Sequence, residues 1–264
     1  MWDLLIVTPL TNLLLWIYGL SGNSFGLAII LFTILIRLVT WPLTVQQLKG
    51  AQAMQELQKD KEWQAIQKKY AKDREKLAQE QMRLYRERGI NPFGSCLPTL
   101  IQFPILIGLY QSLIRALANT PYGLLALGRS IYPFLDAAAL IPLNNRFLWM
   151  DLGRPESIPI TIGGTSFGLP SLAIIVALTT YLQSKLTMPP SPANPDDPTA
   201  AQAAAMSKMM SIYMPLLLGY FALTFPSGLS VYFIVSNILG IIQYAMMGKV
   251  DWRSLLPGSG QKKK

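Results

Sequence analysis

The chain has 264 residues, 51% of them hydrophobic and 14% charged, with a mean hydropathy of +0.32 and a formal charge of +9. That is too apolar for an ordinary soluble domain and fits a polytopic membrane protein, at a length that suits one bundle without a large second domain. No histidine and a single cysteine, Cys96, exclude a disulfide framework within the chain, and no metal site or other cofactor is expected.

Residues 1–24 carry Asp3 as their one charge, and no basic stretch precedes the apolar run, so no cleaved leader is expected. Residues 4–20 are nearly long enough to span a bilayer, but Pro9 interrupts them and Thr8, Thr11 and Asn12 gather on one side. We read a helix in the outer membrane interface with Trp2, Trp16 and Tyr18 as headgroup anchors; a sixth span is the alternative.

Residues 25–45, FGLAIILFTILIRLVTWPLTV, are the first predicted span, since about twenty apolar residues at ~1.5 Å each cover a hydrocarbon core of roughly 30 Å. Arg37 sits inside it, and a cation there costs about 3 kcal/mol on insertion scales, so it should face water or protein. Thr33, Arg37, Thr40 and Thr44 fall at i, i+4, i+7 and i+11 and share a face. Threonines that continue the polar stripe past the arginine favour a wet cavity over simple snorkelling to the headgroups.

Residues 46–91 turn charged and helix-favouring, with eleven lysines and arginines against seven acids. Two helices are expected, broken near 71–73, with Asp73 capping the second and Gly89 ending it. The sparse apolar residues would zip a hairpin together without building a globular core, and a hairpin this long suggests contact with a partner or an anionic lipid surface.

The second span is predicted at 92–117, with Pro98 and Pro104 inside it and Gln102 and Ser112 on its polar side. Residues 119–167 read as an outer loop with short interfacial pieces at 131–140 and 147–152. A third span follows at 168–187 with Thr180 and Gln183, then a proline-rich inner loop at 188–205. The fourth and fifth spans are predicted at 206–225 and 229–247, the last carrying Ser236 and Asn237, separated by the reversal Pro226-Ser227-Gly228. This arrangement puts eighteen cations inside and three outside, which sets the N-terminus outside and the C-terminus in the cytoplasm. The basic charge is thereby explained by topology, and no direct nucleic-acid readout is expected.

No phosphate loop, HExxH, GxSxG or CxxC motif is present, and no aspartate or glutamate lies in any predicted span. An enzyme is therefore not expected, and an ion-coupled transporter lacks its usual intramembrane acids. Singly, Thr33, Thr40, Gln102, Ser112, Thr180, Gln183, Ser236 and Asn237 would each more commonly make an interhelical hydrogen bond. As a set converging on Arg37 they describe a hydrophilic pocket open to the cytoplasm. A secondary transporter or channel using that cavity, and an assembly scaffold recruiting partners through the hairpin, are the competing readings.

The run FGLAIILFTILIRLVTWPL, the stretch IQKKYAKDREKLAQEQMRLYRERGINPFGSCLPTLIQFPI, FLWMDLG at 147–153 and FPSGLSVYFIVSNILGIIQ at 225–243 resemble the YidC/Oxa/Alb family of membrane protein insertases in its short bacterial form. The resemblance implies an all-α membrane fold: five transmembrane helices, an outer interfacial N-terminal helix and a cytoplasmic helical hairpin in one domain, in the bacterial plasma membrane. It places the family's groove arginine on Arg37, a substrate-contacting threonine on Thr33 and an aromatic groove position on Phe233. It implies insertion of nascent membrane proteins into the lipid bilayer through an inward-open groove. Nascent membrane proteins and membrane lipids are the implied partners, with the Sec translocon and the ribosome as open candidates.

Overall fold

A computed structural model describes residues 1–70, 73–89, 97–117, 120–136, 140–162, 165–187 and 209–248. The chain divides into two units: Met1–Leu38, Ile105–Thr187 and Ser211–Lys264 form the first, and Val39–Pro104 with Met188–Met210 form the second.

Prolines decide where several helices start. Helix α1 (Asp3–Leu20) opens with a wide π turn over Asp3–Val7 and becomes α-helical at Thr8, with Pro9 in the first α turn. A proline has no N–H to donate and crowds the carbonyl four residues back, and a widened turn upstream relieves both. The same device precedes Pro215, where the π turn Met209–Tyr213 leads into α9 (Met214–Thr224).

Helix α1 is tied closely into the first unit. It buries Leu14, Leu15, Ile17 and Tyr18 in the main apolar core. Asn12 donates to the Ser130 carbonyl and accepts from the Tyr132 N–H, and the Tyr18 hydroxyl accepts from the Asn144 N–H. At its start Asp3 pairs with Arg115 at 2.6 Å.

The helix expected over 25–45 is divided. Helix α2 (Phe25–Val39) ends before Thr40, and α3 (Trp41–Lys59) begins with Pro42 in its first turn. Pro42 cannot supply the N–H that would bond residue 38, so an unbroken helix through this point is disfavoured. Thr40 and Thr44 therefore lie beyond the break, in the second unit.

The chain is mostly helical, but the purely α expectation needs correcting in the segment expected as an outer loop, whose described residues hold α7 (Pro121–Ser130) and two small antiparallel ribbons. Strands β1 (Arg146–Phe147) and β2 (Met150–Asp151) form one; β3 (Ile158–Ile162) and β4 (Thr165–Leu169) form the other. Because β4 runs to Leu169 and Pro170 follows, the helix expected from 168 begins later, as α8 (Ser171–Thr187). The final helix α10 (Ser227–Met246) starts two residues before the expected 229.

The start of α10 is fastened to the first ribbon. The Ser227 N–H donates to the Arg154 carbonyl (2.8 Å), the Gly228 N–H to the Leu152 carbonyl (3.1 Å) and the Ser227 hydroxyl to the Asp151 carbonyl (2.7 Å). The first N–H groups of a helix have no intrahelical partner, and here the 151–154 segment supplies them. Gly26 admits the Phe147 ring so closely that a Cβ on residue 26 would overlap it.

In the second unit, three helices replace the two expected over 46–91: α3, α4 (Lys61–Lys69) and α5 (Arg74–Glu87). The extra break is at Asp60, whose extended backbone ends α3 and whose carboxylate accepts from the Glu62 N–H to cap α4. Asp73 caps α5 by accepting from the Lys76 N–H, and Gly89 adopts φ +64° just past its end. Ala71 and Lys72, where the break was expected, lie outside the described residues. Leu57, Trp63, Leu77, Leu84 and Tyr85 make a small apolar cluster of their own. Arg88 bridges Asp60 at 2.6 Å and Glu62 at 3.3 Å, holding the Asp60 carboxyl below its ordinary value of 3.8. Helix α6 (Leu97–Ala116) carries Pro104 within it, where the division between the units falls.

Candidate functional site

Helices of the first unit leave rows of large apolar side chains uncovered. On α2 these are Leu27, Leu31 and Leu38; on α8, Ile174, Leu178 and Tyr181; on α10, Ile238, Ile242 and Met246. Each row recurs at helical spacing, so each helix turns one whole apolar face outward, an arrangement suited to hydrocarbon and not to water. Among the described residues, α1 and α10 are long and apolar enough to cross a membrane, and Phe25–Val39, Phe103–Ala116 and Ser211–Thr224 are shorter apolar helices.

The polar side chains point the other way. Arg37, near the end of α2, donates from Nε to Ser236 Oγ (3.1 Å) and from one Nη to both Ser236 Oγ (2.7 Å) and the Ser236 carbonyl (2.8 Å). Ser236 is only 6% exposed. A hydroxyl and a carbonyl of one residue thus hold the guanidinium at a fixed depth along α10, and hydrogen bonds to a charged donor are the stronger kind. One turn on, Gly240 leaves room beside the helix: a Cβ there would lie 2.5 Å from Gln183 Nε2 of α8 and 3.6 Å from an Nη of Arg37. Next to Ser236, Asn237 donates to Thr179 Oγ1 (3.1 Å) and Thr180 Oγ1 (2.8 Å), joining α10 to α8.

The structure therefore gathers Arg37, Ser236, Gln183, Asn237 and Thr180 where α2, α8 and α10 meet. Thr33 is fully buried and its hydroxyl donates to the Ile29 carbonyl at 2.6 Å, within α2. Ser112 is also fully buried and donates to the carbonyls of Gly108 and Val7, which places it against α1. Phe233 is partly buried beside Tyr232, with ring centroids 5.6 Å apart. Thr40 stands just before α3 in the second unit, and the Gln102 side chain lies outside the described residues. Two residues escaped the sequence reading. Gly240 had a legible signal, a glycine one turn from Ser236 in an otherwise bulky helix; Gln243, buried on the same side of α10, had none beyond its polarity.

Outward apolar faces on α2, α8 and α10, with Arg37 held to Ser236 between them, mark a helical membrane protein. The sequence pattern of the 60Kd inner membrane protein family matches residues 16–252, and the chain belongs to that family of membrane protein insertases. It is 35% identical to the membrane protein insertase MisCA of Bacillus subtilis over 92% of this chain and 77% of that protein. It is similarly 32% identical to a membrane protein insertase YidC of Oceanobacillus iheyensis, over 94% and 84% of the two chains. A membrane protein insertase YidC 1 of Listeria monocytogenes is 37% identical, over 92% and 70%.

Proposed function

We propose that this chain inserts nascent membrane proteins into a lipid bilayer, using the polar site at Arg37 as the inner end of a groove open to the cytoplasm. The observation that carries the reading is the grip of Ser236 on Arg37, which fixes a cation inside a bundle whose outer faces are apolar. In this layout α2, α6, α8, α9 and α10 span the membrane of a bacterial cell, with the N-terminus outside and the C-terminus in the cytoplasm. Helix α1 lies at the outer interface, and α3 to α5 form the cytoplasmic hairpin.

The mechanism follows from desolvation. The polar flank of a client pays heavily to cross hydrocarbon, and a hydrated groove reaching to Arg37 shortens that path. A 15-residue α2 rises only about 22 Å, less than the ~30 Å of a typical core, which shortens it further. Arg37 attracts acidic groups in the flank, while the apolar segment of the client leaves sideways into lipid down its own hydrophobic gradient. The process uses no nucleotide or cofactor. The basic hairpin faces the ribosome or anionic headgroups, and action beside the Sec translocon fits the same geometry.

The decisive experiment is insertion of a single-span client into proteoliposomes containing the full chain, scored by a protease-protected fragment. Saturable solute flux without client protection would instead establish the transporter reading.

A further inference from the structure

Gln243 lies seven residues past Ser236 and three past Gly240, so the three share one side of α10. Its side chain is 2% exposed, and neither its nitrogen nor its oxygen has a hydrogen-bond partner among the described residues. A carboxamide carries two N–H donors and an acceptor oxygen, and burying both ends unpaired costs free energy that a hydrocarbon side chain of equal length would not. The neighbouring polar residues are satisfied: Ser236 holds Arg37, and Asn237 bonds Thr179 and Thr180. Ser230, whose buried hydroxyl is also unpartnered, stands on a different side of the helix. The polar side of α10 thus runs from Arg37 and Ser236, past Gln183 at Gly240, to an amide whose bonds are unmade.

We propose that Gln243, covered in this structure, becomes a docking position for the main chain of a client once the side chains over it move aside, its nitrogen donating to a client carbonyl and its oxygen accepting from a client N–H. This rests on the insertase reading above. In an extended chain the N–H and C=O of one residue point to the same side, and a carboxamide meets that pair with two bonds. Every residue but proline offers the pair, so the position reads no side chain and suits a protein that must accept many sequences. It also supplies partners where they are scarce, since a backbone leaving water for the bundle loses its hydration before it can form its own helix. Arg37 selects acidic flanks; Gln243 holds any flank.

The test compares wild type with Gln243→Met, which keeps the length and removes every hydrogen bond, in the proteoliposome insertion assay and in thermal unfolding of the solubilised full chain. Gln243→Met is expected to melt no lower than wild type and to insert clients several-fold more slowly, by the same factor for acidic and neutral flanks. A Gln243→Cys variant in a Cys96→Ser background should form disulfides with cysteines placed along the client flank. Unchanged insertion by Gln243→Met, as expected if a trapped water fills the amide, overturns the proposal. So does a lowered melting temperature, which would show that the amide is satisfied within the fold. If wild type itself gives no protected fragment, the insertase reading fails with it.

Discussion

Gln183 of α8 occupies the space that a side chain on residue 240 of α10 would need, its amide nitrogen 2.5 Å from where a Cβ would stand. The obstructing atom is the far end of a flexible side chain, so Gly240→Ala should fold. Alanine also favours the helix interior by up to about 1 kcal/mol over glycine. We expect an unchanged or slightly raised melting temperature together with a several-fold loss of client insertion, because the displaced amide crowds the guanidinium. Gly240→Ala with normal insertion would separate Gln183 from the site.

Arg37→Ala should impair clients with acidic translocated flanks more than clients with neutral ones, since the missing interaction is a charge attraction. Arg37→Lys keeps the charge and loses the forked grip on Ser236, so its effect should be smaller and also biased toward acidic clients. Ser236→Ala should resemble Arg37→Lys, removing hydrogen bonds to a charged group worth about 1.5–3 kcal/mol each at most. Equal loss for both client types would assign Arg37 a structural role. The readout is the ratio of protected fragment for a matched pair of clients.

Gly26→Ala places a Cβ in overlap with Phe147 Cγ, and a partly buried ring packed against the core yields less readily than an amide tip. Overpacking of this kind costs about 1–3 kcal/mol. A lower melting temperature is expected, with partial recovery in Gly26→Ala/Phe147→Leu. Failure of the second change to recover any stability would show that the close approach is not the cause.

Asp60 in the second unit should make the packing of α4 and α5 sensitive to acid. Arg88 donates a hydrogen bond to its carboxylate and the Glu62 N–H adds another, so its folded value lies below the ordinary 3.8. A depressed carboxyl contributes stability above its unfolded value, and that contribution is lost as pH falls through 3.8 toward the lower folded value. Amide exchange of residues 61–69, corrected for the intrinsic pH dependence, should accelerate across that window. Asp60→Asn keeps a good cap but removes the ion pair, so its corrected exchange should be faster at neutral pH and flat through the acid range.

Some of this was legible in the sequence because the signals are local. Asp73 and Gly89 bound α5 as their side-chain and backbone chemistry demand, and the apolar run after Phe225 gives α10 almost to the residue. Local signals were also overlooked. Trp41-Pro42 marks the break after α2, Asp60 followed by Glu62 marks the start of α4, and alternating residues around Gly163-Gly164 are a ribbon signature. The site divides along the same line. That Arg37 needs a polar companion follows from its burial in an apolar helix, but that Ser236 provides it depends on the register of α2 against α10, across 199 residues. For Thr33 and Ser112 the spacing could not show that each hydroxyl donates to the carbonyl four residues back, a choice open to any threonine or serine in a helix.

The bonds from Ser227 and Gly228 to the carbonyls of residues 151, 152 and 154 bear on how the molecule is made. Those carbonyls emerge from the ribosome first and wait for donors 76 residues further along in the case of Asp151 and Ser227. Until the last helix arrives, that end of the bundle stays unlatched. A nascent chain halted before residue 227 therefore leaves the carbonyls of residues 151, 152 and 154 without these donors. The latch is thus a late contact of synthesis, made only when residues 227 and 228 join a segment laid down some 76 residues earlier.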